Sequence, residues 1–217
     1  DIGFADGPAT TARFVLPRSL ALSVSGADVF IADRGNQRIR AYNIESGEVR
    51  TIAGNGGQGF ADGTISLANF NNPEGIAPTP DGRQLLVADR GNYRIRVVTI
   101  ATRIVTTLAG GGAPDLIDGR GADARFQGPT SIAITPDGSI AYVADEGFNG
   151  RVRGIDIASA SVFTLPYLQI GASSGGVWPS SISLTPDGLS ALILERNMVA
   201  AADLRTGCTV TIAGRAG

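Results

Sequence analysis

Val87-Ala88-Asp89-Arg90-Gly91-Asn92-Tyr93-Arg94-Ile95-Arg96 decides how this chain is read, because Ile31 to Arg40 repeats it nearly letter for letter. A third copy, Ala144 to Arg153, carries one inserted residue. The acids of these copies, Asp33, Asp89 and Asp145, recur at intervals of 56 residues, and Glu195 takes the same slot 50 residues later. Seven residues before each acid stands a glycine (Gly26, Gly82, Gly138, Gly188). Nine before each glycine stands a proline (Pro17, Pro73, Pro129, Pro179). A grid repeated at a period of about 50 residues is the mark of a repeat architecture.

Working outward, each copy reads as four short strands. A brief apolar segment such as Ser131-Ile132-Ala133-Ile134 follows the proline. A turn comes next: Thr79-Pro80-Asp81-Gly82, Thr135-Pro136-Asp137-Gly138 or Thr185-Pro186-Asp187-Gly188. Proline presets the backbone there and glycine accepts positive φ at the end, which is hairpin chemistry. Leu85 to Asp89 is β-rich, Arg90-Gly91-Asn92 is a polar turn, and Arg94-Ile95-Arg96-Val97-Val98 alternates with the period of a pleated strand. Arg103 to Leu108 supplies a fourth strand. Four short antiparallel strands per repeat define a propeller blade. The expected fold is all-β: a β-propeller of four-stranded antiparallel blades at about 1–54, 55–110, 111–166 and 167–217, with helix content near zero.

The linkers repeat as well. Phe4-Ala5-Asp6-Gly7, Phe60-Ala61-Asp62-Gly63 and Asp118-Gly119 lead to Phe14, Phe70 and Phe126, each three residues before its proline. These rings are expected to be buried plugs between neighbouring blades, with the aromatic of the fourth copy shifted to Trp178.

The stretches 31–40 and 87–96 closely resemble the NHL repeat, and the resemblance runs along essentially the whole chain; residues 192–205 depart furthest, with no Arg-Ile-Arg. It implies a β-propeller. For function it leaves a choice, because NHL propellers include RNA-binding modules, protein-interaction platforms, surface-protein ectodomains and a few enzymes. The chain starts and stops at one point of the repeat, whereas closed propellers usually overlap their termini in one blade. The expectation is an open arc, or part of a larger ring completed by further chain or by another subunit.

Composition removes much chemistry. All 18 basic residues are Arg and there is no His. That excludes Ser-His-Asp and Cys-His nucleophiles, imidazole metal ligands and the usual proton shuttle. Cys208 is the single cysteine, so an internal disulfide is impossible and a strand-filling role is expected. The net charge of −2 disfavours a nucleic-acid surface, and no run approaches the roughly 18 apolar residues of a membrane span. No signal peptide is visible in residues 1–7, and the compartment stays open, with an extracellular or cell-surface setting favoured.

Against that background the acid–arginine pairs Asp33 with Arg38, Asp89 with Arg94 and Asp145 with Arg151, with Glu195 in the fourth slot, read as framework, because an active site would break the repeat. No catalytic residue, cofactor or metal is expected, and no D-x-D-x-D-G spacing points to calcium. The function expected is a non-enzymatic scaffold that binds a protein partner or further copies of the chain. One alternative is a calcium-dependent, lactonase-like hydrolase. The other is a single-stranded RNA binder using a rim of Arg34, Arg90, Tyr93, Phe148 and Arg196.

Overall fold

The computed structural model describes residues 2–147, 150–165, 179–195 and 197–214; Phe148, Trp178 and Arg196 lie outside them. The described chain is antiparallel sheet joined by turns, with three single 3₁₀ turns as its helical content. It divides into two compact units, Asp1–Leu108 and Ala109–Gly217.

In the first unit, blade one consists of β1 (Gly7–Pro8), β2 (Pro17–Leu22), β3 (Asp28–Asp33), β4 (Arg38–Asn43) and β5 (Glu48–Ala53), ordered β1-β5-β4-β3-β2. The short β1 belongs to the linker and folds back on the outermost strand of its own blade, pairing Gly7 with Val49. Blade two consists of β6 (Pro73–Pro78), β7 (Gln84–Asp89), β8 (Arg94–Thr99) and β9 (Ile104–Ala109), in sequential order. Its linker makes the same return through a bridge between Gly63 and Val105.

In the second unit, blade three consists of β10 (Gly119–Arg120), β11 (Pro129–Ile134), β12 (Ile140–Asp145), β13 (Arg151–Asp156) and β14 (Ser161–Thr164). Blade four consists of β15 (Ser181–Leu184), β16 (Ser190–Glu195), β17 (Met198–Asp203) and β18 (Thr209–Gly214). The second strand of blade two, Gln84–Asp89, starts one residue before the Leu85 of the sequence reading. This is the β-propeller blade that the Pro, Gly, acid grid predicted.

The turns form for local reasons. In Thr79-Pro80-Asp81-Gly82 the Thr79 hydroxyl donates to Asp81 (2.6 Å) and accepts from the Gln84 amide (3.1 Å). Gly82 closes the turn at φ +69°. The same bonds recur at Thr135 and Thr185. A hydroxyl and a carboxylate thus satisfy the turn before any tertiary contact forms.

The core of the first unit lies between its two blades. Phe30, Ala32 and Ile39 of blade one meet Leu85, Val87 and Val98 of blade two, with Phe70 among them. In the second unit Tyr142, Ala144 and Val152 of blade three meet Ala191, Ile193 and Ala200 of blade four. Strand alternation assigns the faces: within each unit, residues of one parity in the first blade face the second, and residues of the opposite parity in the second face back.

Phe70 and Phe126 are fully buried, as expected of plugs. Phe14 is a correction, since it is only half-buried. Phe70 is walled by Gly54 at the end of blade one, where an added Cβ would come within 3.0 Å of the ring and 2.6 Å of the Gln37 carbonyl. Substitution should show the difference. Phe70→Ala should cost about 3–5 kcal/mol and Phe14→Ala about half as much or less, read from urea denaturation midpoints.

Candidate functional site

The repeating ionic groups form one network, built three times. The carboxylate of Asp89, at the end of β7, accepts from the backbone amide of Asn71 (2.8 Å), the side-chain amide of Asn92 (2.7 Å) and Nη1 of Arg96 (2.7 Å). Arg96 and Asp89 are both fully buried. The same guanidinium donates to Asp62 in the linker (2.6 Å) and to the carbonyls of Asn69 (3.0 Å) and Ala61 (2.7 Å). The rings of Phe60 and Phe70 stand 4.9 and 5.2 Å from its centre. Asp62 in turn accepts from the Thr107 amide on β9 (3.2 Å). One arginine therefore ties the second, third and fourth strands of its blade to the incoming linker.

Blade one repeats this with Asp33, Arg40, Asp6, Phe4 and Phe14. Blade three repeats it with Asp145, Arg153, Asp118 and Phe126, where the Asp145–Arg153 contact lengthens to 3.3 Å. In that blade the Asp145 carboxylate accepts from the equivalent amide, that of Gln127, and also from that of Gly128. Burial pushes the Asp145 carboxyl up to about 6, against the pull of Gly128 and Arg153. Burial likewise raises Asp89.

This corrects the expected partners. Asp33 does stand opposite Arg38 in the ladder, as Asp89 does Arg94 and Asp145 does Arg151. Those arginines sit at the mouth of the hairpin, however, and turn to the surface. Arg38 lies over Phe4 at 3.8 Å and donates to the Asn36 and Asn55 carbonyls. Arg94 lies over Phe60 at 3.8 Å, and Arg151 donates to the Gly150 carbonyl. The arginine two positions on shares their face but lies deeper, where the linker can enclose it, and it takes the buried acid.

Glu195 breaks the pattern. It is buried in the fourth acid slot, opposite Met198, and Ala200 stands where the buried arginine would be. Among the described residues its Oε1 has no hydrogen-bond partner, and burial pushes its carboxyl up to about 7.

Of the candidate rim, Arg34 and Arg90 converge on the carboxylate of Glu74 at 3.4 and 3.7 Å. Tyr93 is half-buried at φ +55°. Phe148 and Arg196 lie outside the described residues, as does the aromatic Trp178. Sequence reasoning missed the linker acids and Phe4 and Phe60 as partners of the arginines. The signal was present, because Asp6, Asp62 and Asp118 each precede their strand acid by the same 27 residues. Among the described residues, no group of three or more acids or cysteines is placed to hold a metal ion, and no helix is long and apolar enough to cross a membrane.

The NHL-repeat family model matches residues 70–98, the second blade. The chain is 28% identical over 225 residues, 94% of its own length, to Protein SUPPRESSOR OF QUENCHING 1, chloroplastic, of Arabidopsis thaliana, of which this covers 20%. It is 33% identical over 112 residues, 51% of the chain, to NHL repeat-containing protein 2 of Bos taurus, of which this covers 15%. The chain thus spans a fifth or less of these relatives. Among solved structures, an auxiliary nutrient binding protein from Bacteroides thetaiotaomicron is similar over 98% of this chain and 46% of that one, with TM-score 0.70 and 15% identity. A chain of a nidogen/laminin complex is similar over 91% of this chain and 63% of that one, with TM-score 0.65 and 16% identity. At these identities the likeness concerns the fold.

Two measurements check the network. Arg96→Met should cost about 3–5 kcal/mol by leaving Asp89 buried without its charge partner, whereas Arg94→Met should cost about 1 kcal/mol or less. For Glu195 the folded carboxyl binds its proton more tightly than the unfolded one, so its contribution is complete in acid. It is lost as pH rises from about 4.5 to about 7. Glu195→Gln should therefore match the wild type in thermal melts at pH 5 and be more stable at pH 8, by about 1 kcal/mol after allowing for solvent screening.

Proposed function

We propose, from its propeller blades and its likeness to NHL repeat-containing proteins, that this chain is a non-catalytic module that docks other proteins, further copies of this chain among them. The observation that carries this reading is where apolar side chains are left in water. In the first unit the face of blade one turned away from blade two exposes Leu20 and Leu22. In the second unit the face of blade four turned away from blade three exposes Leu192 and Leu194, with Val210 and Ile212 on its outer strand. Contiguous exposed apolar side chains mark interaction surfaces.

The ionisable groups support the same reading. In blades one to three the repeating acids are each paired with a buried arginine of the framework. The RNA alternative has less support, because Arg34 and Arg90 are turned onto Glu74. A calcium-dependent hydrolase would need free carboxylates, and Asp33, Asp89 and Asp145 each hold an arginine.

Light scattering of the purified chain over a wide concentration range tests the proposal. Concentration-dependent association is expected, and it should disappear in a Leu192→Lys/Leu194→Lys double variant while the fold, read by circular dichroism, is kept. A chain that stays monomeric throughout, or that turns over lactones when calcium is added, would contradict it.

A further inference from the structure

The groove between the hairpin turns of blades one and two combines repeated turn residues, Asp81 and Gly82, with residues peculiar to blade one, Val24 and Asp28. Its volume is about 390 Å³, within the range of sites that take a small ligand or a few residues of a peptide. Phe30, Pro78 and Ile100 form an apolar floor, Val24 and Gly82 stand at its mouth, and Asp28 and Asp81 line it as carboxylates.

Two departures from the repeat open this groove. Blade one has Ser23-Val24-Ser25-Gly26 where the other blades have Thr-Pro-Asp-Gly. In the second unit the corresponding turn closes: a Cβ on Gly188 would come within 2.6 Å of the Pro136 ring, while a Cβ on Gly82 would meet Val24 only at 3.7 Å. Finally, β3 begins with Asp28 where β12 begins with Ile140, so a carboxylate replaces an aliphatic side chain in the wall.

The charge of the groove has one sign. Asp28 is engaged by Arg50 through two contacts of 2.9 and 2.8 Å and by Asn43 at 3.1 Å. Arg83 approaches Asp81 only at 3.9 Å, with its own side chain 84% exposed. Both carboxylates line the groove and neither arginine does. Hydrogen bonds from the Thr79 hydroxyl and the Arg83 amide hold the Asp81 carboxyl below the usual range, so it is charged at neutral pH.

We infer that this groove binds a peptide segment of a protein partner in which an aliphatic side chain is followed by an arginine or lysine. The aliphatic group fills the floor made by Phe30, Pro78 and Ile100, and the cation meets Asp81 at the rim. The inference rests on the reading of the chain as a docking module and specifies one partner surface of it.

The test is NMR titration of the ¹⁵N-labelled chain with acetyl-Ser-Leu-Arg-Ser-amide and its counterpart with glutamate in place of arginine. The basic peptide should shift the amides of Val24, Gly82 and Ile100 and bind at least about tenfold more tightly than the acidic one. Val24→Pro restores the turn residue found at Pro80, Pro136 and Pro186, so the hairpin is kept while the groove closes, and binding should fall at least about tenfold. Asp81→Asn should weaken binding severalfold and flatten its salt dependence. Equal affinity for the two peptides, unaltered binding to Val24→Pro, or shifts at other residues alone would overturn the inference. The association that depends on Leu192 and Leu194 is read separately, so either result can fail without the other.

Discussion

A guanidinium taken wholly out of water is the constraint around which each regular blade is built. Arg40, Arg96 and Arg153 are fully buried, and a buried charge is costly unless it is paired and hydrogen-bonded. Every nitrogen of Arg40 and Arg96 has a partner, while in Arg153 the Nε has none among the described residues. The partners come from every part of the repeat: the acid ending the second strand, the acid and carbonyls of the linker, and phenylalanines from the linker. Lysine could not replace arginine here, because in blade two Nε, Nη1 and Nη2 together make five contacts in a planar fork. Register, linker path and the seating of the ring that separates neighbouring blades follow from satisfying one side chain.

Symmetry then separates framework from candidates for recognition. What recurs in three blades holds the blade together. Departures occur in blade four, which keeps the acid but loses its arginine, and in the first turn of blade one, which loses its proline and gains a carboxylate nearby. Both change the surface or the electrostatics without disturbing the four-strand plan, since the hairpin bonds of the turns and the ladder of β16 and β17 are retained. A module that docks partners can vary at such positions while its framework stays fixed.

Most of the fold was legible because its determinants are local. Gly82 at positive φ and the Thr79–Asp81 bond are written in four adjacent letters, and the alternation of Arg94 to Val98 is a direct consequence of the pleat. The pairing of Asp89 with Arg96 rather than Arg94 was not legible. Both arginines share a face, and only the path of the linker, 27 residues earlier in sequence, decides which is enclosed. The half-burial of Phe14 was hidden for a related reason: the sequence motif is the same as at Phe70, but burial depends on what stands opposite. The groove of blade one was not read from the sequence: its turn lacks the Thr-Pro-Asp-Gly of the other three, but the opening depends on a gap between two turns that are distant in sequence.

A double-mutant cycle on Asp89 and Arg96, followed by urea unfolding, tests the framework role most directly. If the pair is an internal clamp, Arg96→Met and Asp89→Asn are each strongly destabilising and the double variant is no worse than Arg96→Met alone. The coupling energy should be at least about 2 kcal/mol. Additive effects with coupling near zero would contradict the clamp, and with it the division between framework and surface.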